Sequence, residues 1–386
     1  MVKKKMIFRD YQPNVWERLL RAKSNMRIGS AYLFVGPRGC GKEWGAIEFA
    51  KLLNCDNPGD IPCNDCPSCT KFYSLQHPNF KLIVPLPGSD KSSQSSDPLD
   101  SLKKEDFEYL SSAMLNKGTD PFYKIQVPSA RRITINSIRD LRRNIYLKSL
   151  SNGRKVVIIF DAHLLSEGMG ESANALLKIL EEPPPNTTLI LVSDKKSALL
   201  PTVISRCQPI NFPTLSREKI RLILENDEFD NILAAQASII ANGDIHLARE
   251  LADHSTDDIL DEAEALAKMM IRVNEKGWRD FINNNAMLAS RKPEDFKFKI
   301  YLLQLWFHQA YRMKTDGKTN HLLPGITESL KKFNDTYPHA DLGEINKVLE
   351  ETTESLARNL YAPLTLTNLL ITVQELLKGK IPLSVT

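Results

Sequence analysis

Gly36-Pro37-Arg38-Gly39-Cys40-Gly41-Lys42-Glu43 has the spacing of a phosphate cradle and follows directly on the apolar run Ala31 to Val35. In this P-loop pattern, backbone N–H groups of a glycine-rich turn wrap phosphate oxygens and a lysine reaches the outer phosphates. A following Ser or Thr hydroxyl then binds Mg²⁺. Gly36, Gly39, Gly41 and Lys42 satisfy the pattern, but Glu43 stands in the place of the hydroxyl. A carboxylate there brings negative charge toward a triphosphate and competes for Lys42, so the motif keeps its fold signal and loses its catalytic one.

A second chemical grouping lies downstream. Cys55, Cys63, Cys66 and Cys69 are separated by seven, two and two residues, among the turn-formers Pro58, Gly59, Pro62 and Pro67. Four thiolates so spaced can close a tetrahedral Zn²⁺ shell and leave no position for water or substrate, which is the pattern of a structural site. The plainer alternative, four unrelated buried thiols, accounts less well for the clustering of four of the six cysteines. His77 falls beyond a complete set and reads as a packing or surface residue, while Cys40 and Cys207 stand alone.

Two more groups carry chemistry. Lys155 to Asp161 reads as a buried strand ending in an acid, the position from which a P-loop site orients Mg²⁺. Ser205-Arg206-Cys207 is unspecific alone and gains weight from following two strands of the same sheet. Arg139, Arg142 and Arg143 lie off the apolar stripe Ile138, Leu141 and Ile145 of one helix. They are candidates for contact with a nucleic-acid backbone, although a solvated charged face is the commoner use of such residues.

The elements that must position these groups alternate. A packing helix follows Pro13, with Val15, Trp16, Leu19 and Leu20 at helical spacing, and the strand Ala31 to Val35 leads through the turn into a helix from Trp44 to Leu53. Strands are predicted near Thr188 to Val192 and Pro209 to Phe212, and a helix near Ala173 to Leu180, stopped by Pro183-Pro184-Pro185. This alternation predicts a mostly parallel α/β sheet. Gly88 to Leu102 is polar and serine-rich and reads as mobile, the start of an insertion (about 88–130) in which Phe107 to Leu115 is expected to form a short helix, with no catalytic constellation. Beyond residue 212 only helical patterns remain, among them Ala263 to Val273, Leu302 to Met313 and Ala362 to Leu377.

Composition bounds the rest. At roughly 150 residues per domain, 386 residues suggest two or three domains. The 42% hydrophobic and 25% charged fractions describe a globular chain, and a net charge of only +4 excludes a molecule that is basic overall, so nucleic-acid contact must come from local patches. No apolar run approaches the roughly 20 residues of a membrane helix. The start, Met1-Val2-Lys3-Lys4-Lys5-Met6, lacks the apolar segment of a secretory signal, so a cytoplasmic protein is expected.

Taken together the motifs resemble the AAA+ clamp-loader family of bacterial DNA polymerase III. Ser30 to Gly36 is similar to the family's lead-in to the P-loop, the four-cysteine insertion to its zinc module, Asn174 to Pro184 to its most recognisable helix, and Ser205-Arg206-Cys207 to its Ser-Arg-Cys motif. The resemblance covers most of the chain. It implies an α/β AAA+ P-loop domain with a parallel sheet flanked by helices over residues 1–212, carrying the zinc module (55–69) and a polar insertion (about 88–130) longer than usual. A helical lid (213–275) and an all-α collar used for oligomerisation (276–386) would follow.

Three departures matter. Active members have Thr or Ser where Glu43 stands and Asp-Glu where this chain has Asp161-Ala162; the lid's sensor arginine is replaced by His246. The resemblance therefore implies a non-hydrolysing subunit with a degenerate nucleotide site (Gly36, Gly39, Gly41, Lys42, Asp161), whose own ATP binding is left open. Arg206 would act in trans as an arginine finger on the γ-phosphate held by a neighbouring subunit. The implied partners are the ATP-hydrolysing tau/gamma subunits, the delta subunit, the sliding clamp through the assembly, and primed DNA by way of Arg139, Arg142 and Arg143. An active tau/gamma-type ATPase and a zinc-bearing AAA+ adaptor outside replication are the alternatives.

Overall fold

The computed structural model describes residues 6–88, 97–147, 153–253, 256–316, 326–357 and 360–380; the serine-rich stretch 89–96 lies outside the described residues. The chain forms two compact units, Met1–Glu250 and Leu251–Thr386.

The first unit is built on five parallel strands: β1 (Ala31–Val35), β2 (Phe80–Ile83), β3 (Lys155–Ile159), β4 (Thr187–Ser193) and β5 (Gln208–Asn211), in spatial order β2-β3-β4-β1-β5. Every residue of β1 and β4 is buried, as expected for a parallel sheet covered on both faces. Ala31 pairs with Leu189, Lys155 with Thr187 and Tyr32 with Gln208. Side chains alternate across this sheet. Leu33, Val35, Val157, Ile159, Leu189 and Leu191 share one core with Ile138 and Leu141 of helix Ile135–Ile145 and with Leu176 and Ile179 of helix Glu171–Glu181. Tyr32 and Phe34 face the other side, where Tyr32 meets Phe49 edge-on at 5.9 Å and Phe34 lies 5.0 Å from Phe212. Parallel sheet and flanking helices fit the α/β AAA+ arrangement that the sequence implies.

Strand β2 was not legible in the sequence. It is a four-residue edge strand with Phe80 and Ile83 buried and Lys81 exposed, too short to display a period. The helix expected over Phe107 to Leu115 is longer, spanning Lys104–Thr119. Helices Arg217–Asn226 and Asn231–Ile240 follow the sheet, and Ser216 caps the first by accepting the N–H of Lys219 at 3.3 Å.

The second unit contains helices Thr256–Ile271, Glu275–Arg291, Pro293–Asp316, Thr327–Thr336, Leu342–Ala357 and Ala362–Leu377. Its core is anchored by Trp306, which meets Phe307 at 5.2 Å and Phe333 at 4.8 Å. Among the described residues no helix is long and apolar enough to cross a membrane.

Candidate functional site

The turn after β1 has the backbone a phosphate cradle needs. Gly39 (φ +69) and Gly41 (φ +89) take left-handed conformations that cost a side-chain-bearing residue strain, and Gly41 opens the helix Lys42–Asn54. What faces the turn is not suited to phosphate. Lys42 folds back and donates from Nζ to the carbonyls of Gly36 (2.8 Å) and Pro37 (2.5 Å). A Cβ on Gly39 would come within 2.0 Å of Asp244 Oδ1, so that carboxylate lies directly against the loop. Asp244 also accepts the backbone N–H of His246 at 2.9 Å and lies 3.6 Å from Arg38. Burial pushes the His246 imidazole down to about 3, so the position expected for a sensor cation is neutral at physiological pH.

The competition of Glu43 for Lys42, expected from the sequence, does not occur. Glu43 instead takes two lysines from the insertion: Lys117 Nζ lies 2.6 Å from Oε2 and Lys124 Nζ 2.5 Å from Oε1. Lys124 also binds Asp161 bidentately at 2.8 and 2.9 Å. Lys117, with only 1% of its side chain exposed, gives its other protons to the carbonyls of Pro121 (3.0 Å) and Tyr123 (2.7 Å). Burial alone would push the Glu43 carboxyl up, but the two ammonium groups outweigh it and hold Glu43 well below the usual carboxylate range. Burial likewise works against the Lys124 ammonium, and Glu43 and Asp161 more than offset it, so its proton is held more tightly than usual.

Neighbouring contacts fix the tract that carries these lysines. Phe122 is buried and packs edge-on against Trp44, with ring centroids 5.3 Å apart, and lies 6.5 Å from Tyr11. Asp120 pairs with Arg249 at 2.7 Å, and Arg249 also holds Asp227 at 2.8 Å. Asp161 itself is in the left-handed region (φ 48), separated from the end of β3 by Phe160, and buried Ala162 follows it. An Mg²⁺-nucleotide does not fit the residues present: no hydroxyl stands at 43, no carboxylate at 162, and Glu43 and Asp161 already share an ammonium.

The cysteines converge. Sγ atoms of Cys55, Cys63, Cys66 and Cys69 lie within 4.8 Å of one another, with Cys55 to Cys63 at 3.5 Å and Cys63 to Cys69 at 3.9 Å. Tetrahedral coordination at a Zn–S distance of about 2.3 Å places sulfurs roughly 3.8 Å apart. Backbone N–H groups point at the sulfurs, from Cys63 to Cys55 (3.4 Å), Cys66 to Cys63 (3.4 Å) and Cys69 to Cys66 (3.3 Å). Such donors stabilise thiolates and orient them. The set fits a metal held by four sulfurs. His77 is outside it, buried and stacked on Phe72 at 5.0 Å.

Arg206 sits just before β5 and keeps 35% of its side chain exposed; it pairs with Glu181 at 2.7 Å and donates to the carbonyl of Thr202 at 2.9 Å. Its flanking Val203 and Cys207 are buried. Arg139, Arg142 and Arg143 are exposed on helix Ile135–Ile145, whose other face enters the core. Lys117 and Lys124 are the residues of this site that sequence reasoning missed. Their partner Glu43 is 74 and 81 positions away, and no local spacing encodes such a pairing.

The sign of the pH dependence follows from the lowered Glu43 value. Its contribution is fully present above the ordinary carboxyl value of 4.5 and is lost progressively as pH falls below it. Glu43→Gln leaves the buried Lys117 ammonium without a carboxylate and Lys124 with Asp161 alone, and is expected to cost about 3–5 kcal/mol at pH 7 by chemical denaturation. The wild-type and Glu43→Gln stability curves should converge as pH drops below 4.5; parallel curves would show that the fold does not hold the carboxylate below its ordinary range.

Comparison with known proteins agrees with this architecture. The family model described as DNA polymerase III, delta subunit, matches residues 11–216, more than half of the chain. The chain is 28% identical over 268 residues to the DNA polymerase III subunit tau of Bacillus subtilis, covering 68% of this chain and 38% of that protein. It is 28% identical over 262 residues to the delta' subunit of the same organism, covering 68% and 64%, and 29% identical over 210 residues to the delta' subunit of Haemophilus influenzae, covering 53% and 50%. The chain thus spans less than two thirds of the length of each of these relatives. With the P-loop turn, the parallel sheet and the matched span all falling in the first unit, the chain belongs to the DNA polymerase III delta-subunit family.

Proposed function

We propose that this chain is a non-hydrolysing, delta-prime-type subunit of the replicative clamp loader, which supplies Arg206 in trans to a neighbouring ATPase subunit and so helps load the sliding clamp on primed DNA. The observation that carries this reading is a contrast within one domain. The chain's own nucleotide site has lost Mg²⁺ ligand and base at Glu43 and Ala162 and is filled by ion pairs, whereas Arg206 is exposed and held by a surface ion pair with Glu181 and one hydrogen bond to the Thr202 carbonyl. Guanidinium is permanently charged, planar and forked to match phosphate oxygens. Its contact with Glu181, itself 48% exposed, is of a kind worth about 0–1 kcal/mol, so exchanging that carboxylate for a phosphate costs little. The names of the relatives, tau and delta' of DNA polymerase III, support the same assembly. The losses at Glu43 and Ala162 favour this reading over an active tau/gamma-type ATPase.

In this reading the four cysteines hold one structural Zn²⁺, residues 213–275 form the lid and 276–386 the collar through which subunits associate. The exposed Arg139, Arg142 and Arg143 are the candidate DNA contact. Partners are the tau/gamma and delta subunits.

Arg206→Ala is expected to leave assembly intact by gel filtration while lowering DNA- and clamp-stimulated ATP hydrolysis by the reconstituted complex. An arginine finger is worth roughly 10³–10⁵ in rate at its own site. The bulk rate should fall less, because other interfaces still fire, and Arg206→Lys should rescue poorly. Wild-type turnover from a fully assembled Arg206→Ala complex would leave Arg206 a structural arginine.

Elemental analysis of freshly purified, reduced protein is expected to find one zinc per chain. Cys66→Ser should release it and lower the first unit's melting temperature, since structural zinc contributes directly to folding free energy. Metal-free protein with an unchanged melting temperature would remove the zinc assignment.

A further inference from the structure

The place between the first turn of the P-loop helix and the end of β3 is where a nucleotide-loaded site of this fold holds its divalent cation, bridged between the residue after the lysine and the strand acid. In this chain those two positions are Glu43 and Asp161, and one group touches both, the ammonium of Lys124 at 2.5 Å and 2.8 Å. The tract that delivers it is firmly seated. Lys117 makes three hydrogen bonds from a nearly fully buried position, Phe122 packs on Trp44, and the Phe122 N–H is tied to Asp120 at 2.9 Å.

We propose that residues 104–124 are a built-in plug of the nucleotide site, with the Lys124 ammonium acting as a resident substitute for the divalent cation. The proposal rests on reading this turn as a P-loop nucleotide site and not on any role of Arg206. A single charge in a protein side chain does the neutralising that a soluble metal would otherwise do, so the domain keeps its helix-to-strand link whether or not nucleotide is present. Two consequences distinguish this from an ordinary surface ion pair. The wild-type site is closed to Mg²⁺-nucleotide. Loss of the Lys124 charge leaves Glu43 Oε1 and Asp161, the latter beside His163 and Asp194, to offer hard oxygen ligands to a small divalent cation while Lys117 stays on Glu43 Oε2, and it thereby opens to the cation a place that the wild type fills with an ammonium.

The test uses the full-length chain with its cysteines intact, Mg²⁺ or Mn²⁺ alone as the probe, and thermal unfolding as the readout, with a fluorescent ATP analogue as the second ligand. Wild type is expected to show no melting shift with either cation and no binding of the analogue. Lys124→Ala should melt lower than wild type and then rise by about 4–8 °C when the cation is near thirty times its Kd. Lys124→Ala combined with Asp161→Asn should lose that rise. Lys124→Gln, which keeps most of the volume without the charge, repeats the measurement if the alanine variant does not fold. The assignment is overturned if neither variant gains a cation-dependent shift, or if the wild type binds the Mg²⁺-loaded analogue as tightly as the variants do. The partner-ATPase measurement with Arg206→Ala fails or succeeds independently of this result.

Discussion

The first unit depends on how Glu43 and Asp161 are neutralised. Two carboxylates brought together at the end of a strand and the start of a helix repel each other unless positive charge lies between them. In the P-loop pattern a hydroxyl stands at the first of these positions, and the metal that arrives with the nucleotide joins it to the strand acid. Here the demand is met from within, by Lys124 between the two acids and Lys117 behind Glu43. Because Lys117 is almost wholly buried, removing Glu43 leaves its ammonium with carbonyl partners alone in a medium where an unpaired charge is costly.

That solution links parts of the chain far apart in sequence. The P-loop helix, β3 and the tract after helix Lys104–Thr119 are held at one point, and the ion pair between Asp120 and Arg249 fastens the same tract to the helix Ile245–Asp253. The aromatic contacts of Phe122 with Trp44 and of Phe34 with Phe212 supply the apolar backing on the same side of the sheet. Charge and packing meet where the Lys117 ammonium lies 5.5 Å from the Phe160 ring and the Arg249 guanidinium 5.9 Å from the Phe122 ring.

The Arg206 contact shows the opposite economy. It is partly exposed, paired with a partly exposed acid and flanked by buried residues that fix the backbone but leave the guanidinium available. The four-cysteine module lies between these extremes. Its sulfurs are brought to near-tetrahedral spacing by backbone N–H groups within a short segment, and the helix Pro67–Lys71 begins on one of them, Cys66.

Much of this was legible in the sequence because it is local. The glycine pattern of the turn, the spacing of the cysteines, the acid at the end of β3 and the Ser-Arg-Cys tripeptide are each set by residues a few positions apart, and backbone geometry converts that spacing directly into shape. The strands β1, β3, β4 and β5 and the wholly helical second unit announced themselves through apolar runs and periods. Strand β2 did not, being a short edge strand with one exposed lysine. Nor did the partners of Glu43: the sequence shows a misplaced carboxylate near Lys42, and only the fold reveals that Lys42 turns back to loop carbonyls while Lys117 and Lys124 cross to the acid. A tract that read as polar filler with no chemistry proves to supply the site's charge. Charge pairing acts through space and carries no periodicity along the chain, so which lysine meets which carboxylate is decided by tertiary packing alone.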